Sequence, residues 1–80
     1  MGSEIPGEGV MIMQWDPVSS SRISAVAWED GITYMRFRTD GAVYGYKNVT
    51  PEQHAEFLRS PSLGKALELF EKQHPYFRVM

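Results

Sequence analysis

The sequence predicts an α+β domain, in which a three- or four-stranded antiparallel meander sheet is packed on one face by two C-terminal helices. Two Asp-Gly pairs, at positions 30–31 and 40–41, separate runs of β-branched and aromatic residues, and this is the strongest short-range signal of a β-hairpin. Two helical segments follow, the first indicated by capping residues and the second by apolar residues at helical spacing. Strands that precede helices, instead of alternating with them, indicate the α+β class.

The first nine residues, "MGSEIPGEG", are expected to be a flexible leader, either native or added upstream of the natural start. They hold three glycines and a proline around Ile5, which leaves little to pack. Residues 10–80 are expected to form a single domain, because a chain of 80 residues supports one small core. Val10 to Trp15 is expected to be a short strand or an arm packed on the domain, broken at Asp16-Pro17.

The three central strand segments are "RISAVAWE", "ITYMRFR" and "AVYGYK". A two-residue loop at positions 30–31 pairs Glu29 with Ile32. Side chains alternate between the two faces of a strand, so this register places Ser24 and Val26 on the apolar face and Ile23 on the opposite face.

The helical half begins after Thr50, which is a good N-cap, and Gln53 is the expected partner in a capping box. A second helix, capped by Ser62, is expected to end at His74-Pro75. The tail "YFRV" is short and β-like, and we expect it to add an edge strand or to pack across the helices.

The orientation of Tyr44 and Tyr46 depends on the length of the second hairpin loop. If that loop has two residues, Tyr44 lies beside Phe37 and Tyr46 beside Met35. Both rings then belong to the face that the helices cover. This register is favoured, because two-residue Asp-Gly loops are the preferred hairpin closure.

A three-residue loop would shift the register by one residue and turn both tyrosines to the opposite face. They would then stand beside Arg36 and Tyr34, as an aromatic and basic platform suited to stacking bases and contacting phosphate.

The favoured register leaves Tyr34, Arg36, Arg38 and Lys47 on the opposite face, and we expect that face to be an open candidate binding surface in either register. Lys65, near the start of the second helix, is a candidate second anchor. The candidate RNA- or ligand-binding residues are therefore Tyr34, Arg36, Arg38, Tyr44, Tyr46, Lys47 and Lys65.

Several function classes are not expected. The serines have no adjacent motif with a base, so we expect no catalytic residues and no enzymatic activity. The two histidines lie 20 positions apart without a third ligand at metal spacing, so neither a metal nor another cofactor is expected. No segment is long enough to span a membrane. Because the chain has no cysteine, it needs no oxidising compartment, and the cytoplasm is the expected location.

Three segments resemble the KTSC domain: "VSSSRISAVAWED" at 18–30, "DGAVYGYKNV" at 40–49 with its Tyr-x-Tyr pair, and "SPSLGKALELF" at 60–70. This small domain is named for the C-terminus of some lysyl-tRNA synthetases and also occurs as a stand-alone bacterial or phage protein. The resemblance runs from about Val18 to Val79. It singles out Ser20 and Ser21, the two tyrosines and the stretch 62–65, while Trp28 departs from the smaller aromatic residue usual there.

The resemblance implies an uncharacterised function, with RNA binding proposed from the synthetase context. We therefore expect a small non-enzymatic binding module, whose partner is RNA, either transfer RNA or single-stranded RNA. A net charge of −2 weakens the RNA hypothesis, because nucleic-acid-binding domains are usually basic. The alternative is a protein-interaction or structural module, including a homodimer through the open sheet face or an edge strand.

Overall fold

The computed structural model describes residues 14–80 and contains five strands and two helices in that part of the chain. The strands are β1 (Asp16–Pro17), β2 (Ile23–Glu29), β3 (Ile32–Phe37), β4 (Val43–Tyr46) and β5 (Tyr76–Arg78), and the helices are α1 (Pro51–Leu58) and α2 (Leu63–Gln73). The strands form one antiparallel sheet in the order β1-β2-β3-β4-β5. This confirms the α+β class, with five strands where three or four were expected.

The β2–β3 hairpin forms at the first Asp-Gly pair as the sequence predicts. Asp30 has φ 52° and Gly31 has φ 80°, which is the left-handed conformation that both central residues of a type I′ turn require. Glu29 pairs with Ile32 across the turn. The first hairpin register is therefore confirmed at the loop.

The β3–β4 loop is longer than either expected length. The amide of Phe37 donates to the carbonyl of Ala42 at 2.9 Å, so four residues, 38–41, close the hairpin. Gly41 supplies the positive φ of 71°, while Asp40 accepts a hydrogen bond from the Ala42 amide at 3.1 Å. Of the expected Asp-Gly turn, only the glycine takes a left-handed conformation.

The longer loop moves β4 by two residues relative to the favoured register. Tyr44 pairs with Met35 and Tyr46 with Thr33, so the expected neighbours Phe37 and Met35 were each wrong by two positions. A shift of two residues leaves side chains on the same face. Both tyrosines therefore face the helices.

A β-bulge near the start of β2 corrects the predicted placement of Ile23. Ala25 pairs with Arg36 and Ile23 with Phe37, so Ser24 is the extra residue. The Ser24 hydroxyl donates to the Arg36 carbonyl at 3.3 Å. Because the extra residue reverses the alternation, Ile23 turns into the core and is fully buried.

Side-chain caps begin both helices where the sequence predicts them. The Thr50 hydroxyl accepts from the Gln53 amide at 3.1 Å, and the Gln53 side chain accepts from the Thr50 amide at 2.9 Å. The Ser62 hydroxyl accepts from the Lys65 amide. The helices then pack on the sheet through a core whose buried members are Ile23, Val26, Met35, Tyr46, Val49, Phe57, Leu67 and Phe70.

The two edges of the sheet are short strands in the described residues. Asp16 and Pro17 form β1 opposite Val26 and Ala25, so the expectation that they only break a strand was wrong. Proline is tolerated there because it has no N–H group to donate, and an edge strand needs no donor on the side that faces away from the sheet. At the other edge the tail forms β5 beside β4, one of the two expected outcomes. The leader and most of the predicted arm, residues 10–13, lie outside the described residues.

Candidate functional site

The sheet has two faces with different contents. We call the face that packs on α1 and α2 the helix face; it includes Val26, Met35, Tyr44 and Tyr46. The second face is the opposite one. In the register of the sheet, Tyr34 pairs with Gly45 and Gly45 pairs with Phe77, so these three residues share a face. Alternation along β3 and β4 adds two basic residues to it. The second face therefore includes Tyr34, Arg36, Gly45, Lys47 and Phe77.

Two basic side chains of the second face lie against aromatic rings. The guanidinium carbon of Arg36 is 5.3 Å from the ring centroid of Trp15, and the ammonium nitrogen of Lys47 is 5.4 Å from that of Phe77. Both distances are typical of cation–π contacts. The second face therefore combines basic and aromatic groups, as the sequence predicts for this surface.

Trp15 and Phe77 are not among the site residues that the sequence predicts. A signal for Phe77 was present, because a glycine inside a strand often marks close approach of another group. A Cβ atom on Gly45 would stand 2.6 Å from Cζ of Phe77. The Phe77 ring thus packs directly against the backbone of Gly45.

The second face is less open than expected. Ala27 and Val43 are buried, with exposed fractions of 1% and 0%, and Phe77 covers Gly45. Tyr34 and Arg36 are half-buried, whereas Lys47 is exposed. Any ligand of this face would meet the rings and cations at its surface and not the strand backbones beneath them.

Arg38 does not join the other basic residues, although it was expected on the same face. It lies in the β3–β4 loop, where its guanidinium donates to the carbonyls of Ser20 at 2.6 Å and Val18 at 3.2 Å. Its amide also donates to the Arg22 carbonyl at 3.0 Å. These bonds tie the β1–β2 connection to the β3–β4 loop.

The two tyrosines of the Tyr-x-Tyr pair differ in exposure. Tyr46 is 1% exposed and lies between the rings of Phe70 and Tyr76, with centroid distances of 6.0 and 5.3 Å. Burial raises the pKa of Tyr46, and the nearby Glu71 carboxylate raises it further. Its ring is not available for stacking with a base. Tyr44 is half-buried on the same face.

Lys65 lies on the other side of the sheet from Lys47. It follows the Ser62 cap of α2 and lines a cleft between the two helices with Phe57 and Leu69. The structure therefore does not bring the expected second anchor together with the second face.

Two further titratable groups have perturbed pKa values. Burial raises the pKa of Tyr34, and the carboxylates of Glu29 and Asp30 raise it further. Burial lowers the pKa of His54, against an opposing effect of Asp16. Within residues 14–80 no group of three acidic, histidine or cysteine side chains is placed to hold a metal ion. No helix in that range is long and apolar enough to cross a membrane.

A comparison with protein families matches the model of the KTSC domain to residues 19–76. The chain belongs to the KTSC domain family. A crystal structure of a KTSC domain protein from Yersinia pestis superimposes on this KTSC domain with a TM-score of 0.76 and 28% sequence identity, covering 85% of this chain and 99% of that one. No curated protein matches the chain. The resemblance inferred from the three sequence segments is therefore confirmed.

Proposed function

We propose that this KTSC domain is a small, non-enzymatic, cytoplasmic module that binds RNA through the second face of its sheet. The observation that supports this proposal most directly is the grouping of Arg36 and Lys47 with the rings of Trp15, Tyr34 and Phe77. Aromatic rings stack with unpaired bases, and neighbouring cations contact phosphates. Single-stranded RNA or the loops of transfer RNA are the forms that offer such bases.

The spacing of the two cations suits contact with an extended strand. Arg36 pairs with Val43, and Lys47 follows Val43 by four residues, which corresponds to about 14 Å along β4. Tyr34 and Phe77 lie between these two ends of the second face. The acidic turn at Glu29 and Asp30 adjoins the Lys47 end and repels phosphate, so we expect moderate affinity, with a salt dependence set by two phosphate contacts.

Fluorescence anisotropy with labelled single-stranded RNA and transfer RNA tests the proposal. We expect the double variant Arg36→Gln/Lys47→Gln to bind more weakly and to show a shallower salt dependence. Each lost phosphate contact lowers the slope of log K against log salt by about 0.7 for a single strand. Two contacts account for a change of roughly sevenfold between about 50 and 200 mM salt.

The matched control is Arg59→Gln/Lys72→Gln, which removes the same charge from exposed positions on the helical half. We expect this control to keep the wild-type slope. Equal loss of affinity in both double variants would show that net charge, and not the second face, governs binding. Absence of RNA binding by the wild-type protein at low salt would overturn the proposal.

The alternative proposal is a protein-interaction or structural module, including a homodimer through the second face. The rings of Trp15 and Phe77 on that face favour it, because aromatic side chains are enriched at protein interfaces. The edge-strand version has less support, since β1 and β5 span two and three residues and short edges pair poorly. Sedimentation over a range of concentrations tests the homodimer, and a constant monomer mass would contradict it.

A further inference from the structure

The helix face carries a cavity of about 300 Å³ at its β4–β5 side, between the sheet and the end of α2. It lies on the opposite side of the sheet from the second face, so nothing in the RNA proposal uses it. Its walls combine aromatic rings with two carboxylates. The residues that matter for its chemistry are Phe37, Tyr44, Tyr46, Tyr76, Asp40 and Glu71.

The rings of the cavity pack against one another at different angles, and Tyr46 and Tyr76 are stacked with an interplanar angle of 29°. Phe37 meets Tyr44 edge to face, at a centroid distance of 5.6 Å and an interplanar angle of 77°. Tyr76 is tilted by 56° from Tyr44 at 6.2 Å. Tyr76 is also 51% exposed, so it forms the outer wall. The cavity is thus lined by aromatic rings that contact one another.

The charged groups on the cavity are both acidic. Among residues 14–80, neither Asp40 nor Glu71 forms an ion pair with a basic side chain. The Glu71 carboxylate lies near Tyr46 and raises the pKa of its hydroxyl, while one oxygen of Asp40 accepts from the Ala42 amide. Arg78, opposite Tyr44 on β5, donates through Nε to the Met80 oxygen at 3.4 Å and is not part of the lining.

We propose that this cavity binds a small organic cation, namely an alkylammonium or guanidinium group. The negative faces of the aromatic rings attract a cation, and the two carboxylates add a Coulombic attraction of the same sign. A volume of about 300 Å³ lies at the lower end of the range for ligand sites. The cavity therefore suits one cationic headgroup and excludes a large cofactor.

An NMR titration that compares choline with dimethylbutanol tests this proposal. The two molecules have nearly the same shape, but the second has carbon in place of the charged nitrogen. We expect choline to shift the signals of Tyr44, Glu71 and Tyr76, with binding at least about fivefold tighter than that of dimethylbutanol. Equal binding of choline and dimethylbutanol would show that the cavity is merely apolar, which would overturn the proposal. A lack of response to all of the probes, including the capped amino acids described below, would also overturn it.

Two further probes distinguish the sources of such a cation. Capped arginine and capped trimethyllysine represent side chains of a protein partner, whereas choline represents a free amine. Tighter binding of a capped amino acid than of choline would assign the cavity to a basic peptide. Tighter binding of choline would assign it to a small metabolite. Both results support a cation site.

Variants separate the contributions of charge and ring. Glu71→Gln keeps the shape of the side chain, and Tyr76→Leu changes a half-exposed ring, so both should fold. We expect each to weaken choline binding by about fivefold or more. Glu68→Gln, on the same helix but outside the cavity lining, is the matched control and should bind as the wild type does. Unchanged affinity in both Glu71→Gln and Tyr76→Leu would overturn the assignment of the cavity.

Discussion

Replacing Gly45 with alanine should destabilise the domain only while Phe77 is present. A Cβ atom at this position would lie 2.6 Å from Cζ and 2.9 Å from Cε1 of Phe77, and 3.2 Å from Cγ2 of Ile32. Non-bonded carbon atoms prefer separations of about 3.5–4.0 Å. The Phe77 ring would therefore have to move by about 1 Å, or swing away from the sheet.

Two opposing terms determine the size of the effect. Overpacking of this kind costs about 1–3 kcal/mol of the free energy of unfolding. Gly45 is not among the residues with positive φ, so alanine fits the backbone there and contributes about 0.4–1 kcal/mol of stability through the unfolded state. We expect a net loss of about 1–2 kcal/mol. For a domain of this size each 1 kcal/mol lowers Tm by about 4–8 °C.

A double-mutant cycle with Phe77→Ala tests the explanation. Without the ring, Gly45→Ala should be neutral or stabilising by up to about 1 kcal/mol, so the two substitutions should be strongly non-additive. Urea denaturation followed by circular dichroism measures all four proteins. If Gly45→Ala costs the same in both backgrounds, within about 0.5 kcal/mol, then Phe77 does not lie on Gly45 and the reasoning is refuted.

Two other predictions concern the helical half. Thr50→Ala should lower the free energy of unfolding by about 1 kcal/mol, because the Gln53 amide loses its hydrogen-bond acceptor. Thr50→Ser keeps a hydroxyl at the cap and should retain most of the wild-type stability. An equal loss of stability in both variants would contradict the capping role. Because burial lowers the pKa of His54, the unfolded chain binds its proton at higher pH than the folded chain, so stability should fall as pH drops below about 6.5. His54→Gln should flatten the dependence of Tm on pH in that region, and a variant as pH-sensitive as the wild type would argue against this assignment.

Local chemistry predicted the elements of this fold well. The Asp30-Gly31 turn, the Thr50 capping box and the Ser62 cap each form where the sequence places them. Each depends on residues within a few positions of one another, and side-chain type alone determines whether the geometry is accessible. These features are therefore visible in a single sequence.

Register was harder to predict, because it depends on loop length and on bulges. The second Asp-Gly pair closes a four-residue loop instead of a two-residue loop, and nothing in the pair itself distinguishes the two. The bulge at Ser24 adds one residue without a sequence signal and reverses the expected position of Ile23. The tyrosine faces were predicted correctly because the loop shifted the register by an even number of residues.

The candidate sites show the same division between local and long-range information. Arg36 and Lys47 were recognised on one face by alternation along β3 and β4. The partners Trp15 and Phe77 come from opposite ends of the domain, and only the order of strands in the sheet brings them there. The same applies to Tyr76 and Glu71, which meet Tyr44 only after the chain has folded back on itself.

β5 connects the two surfaces mechanically. Tyr76 and Phe77 are consecutive on this strand, so one ring forms the outer wall of the helix-face cavity while the next covers Gly45 on the second face. A three-residue edge strand opens at a lower free energy than the central strands, and its opening dismantles both surfaces together. If β5 is open for an appreciable fraction of the time, a ligand that holds it closed from one side would raise affinity on the other side, and the effect would be reciprocal. Hydrogen exchange at the β5 amides would report on both surfaces at once.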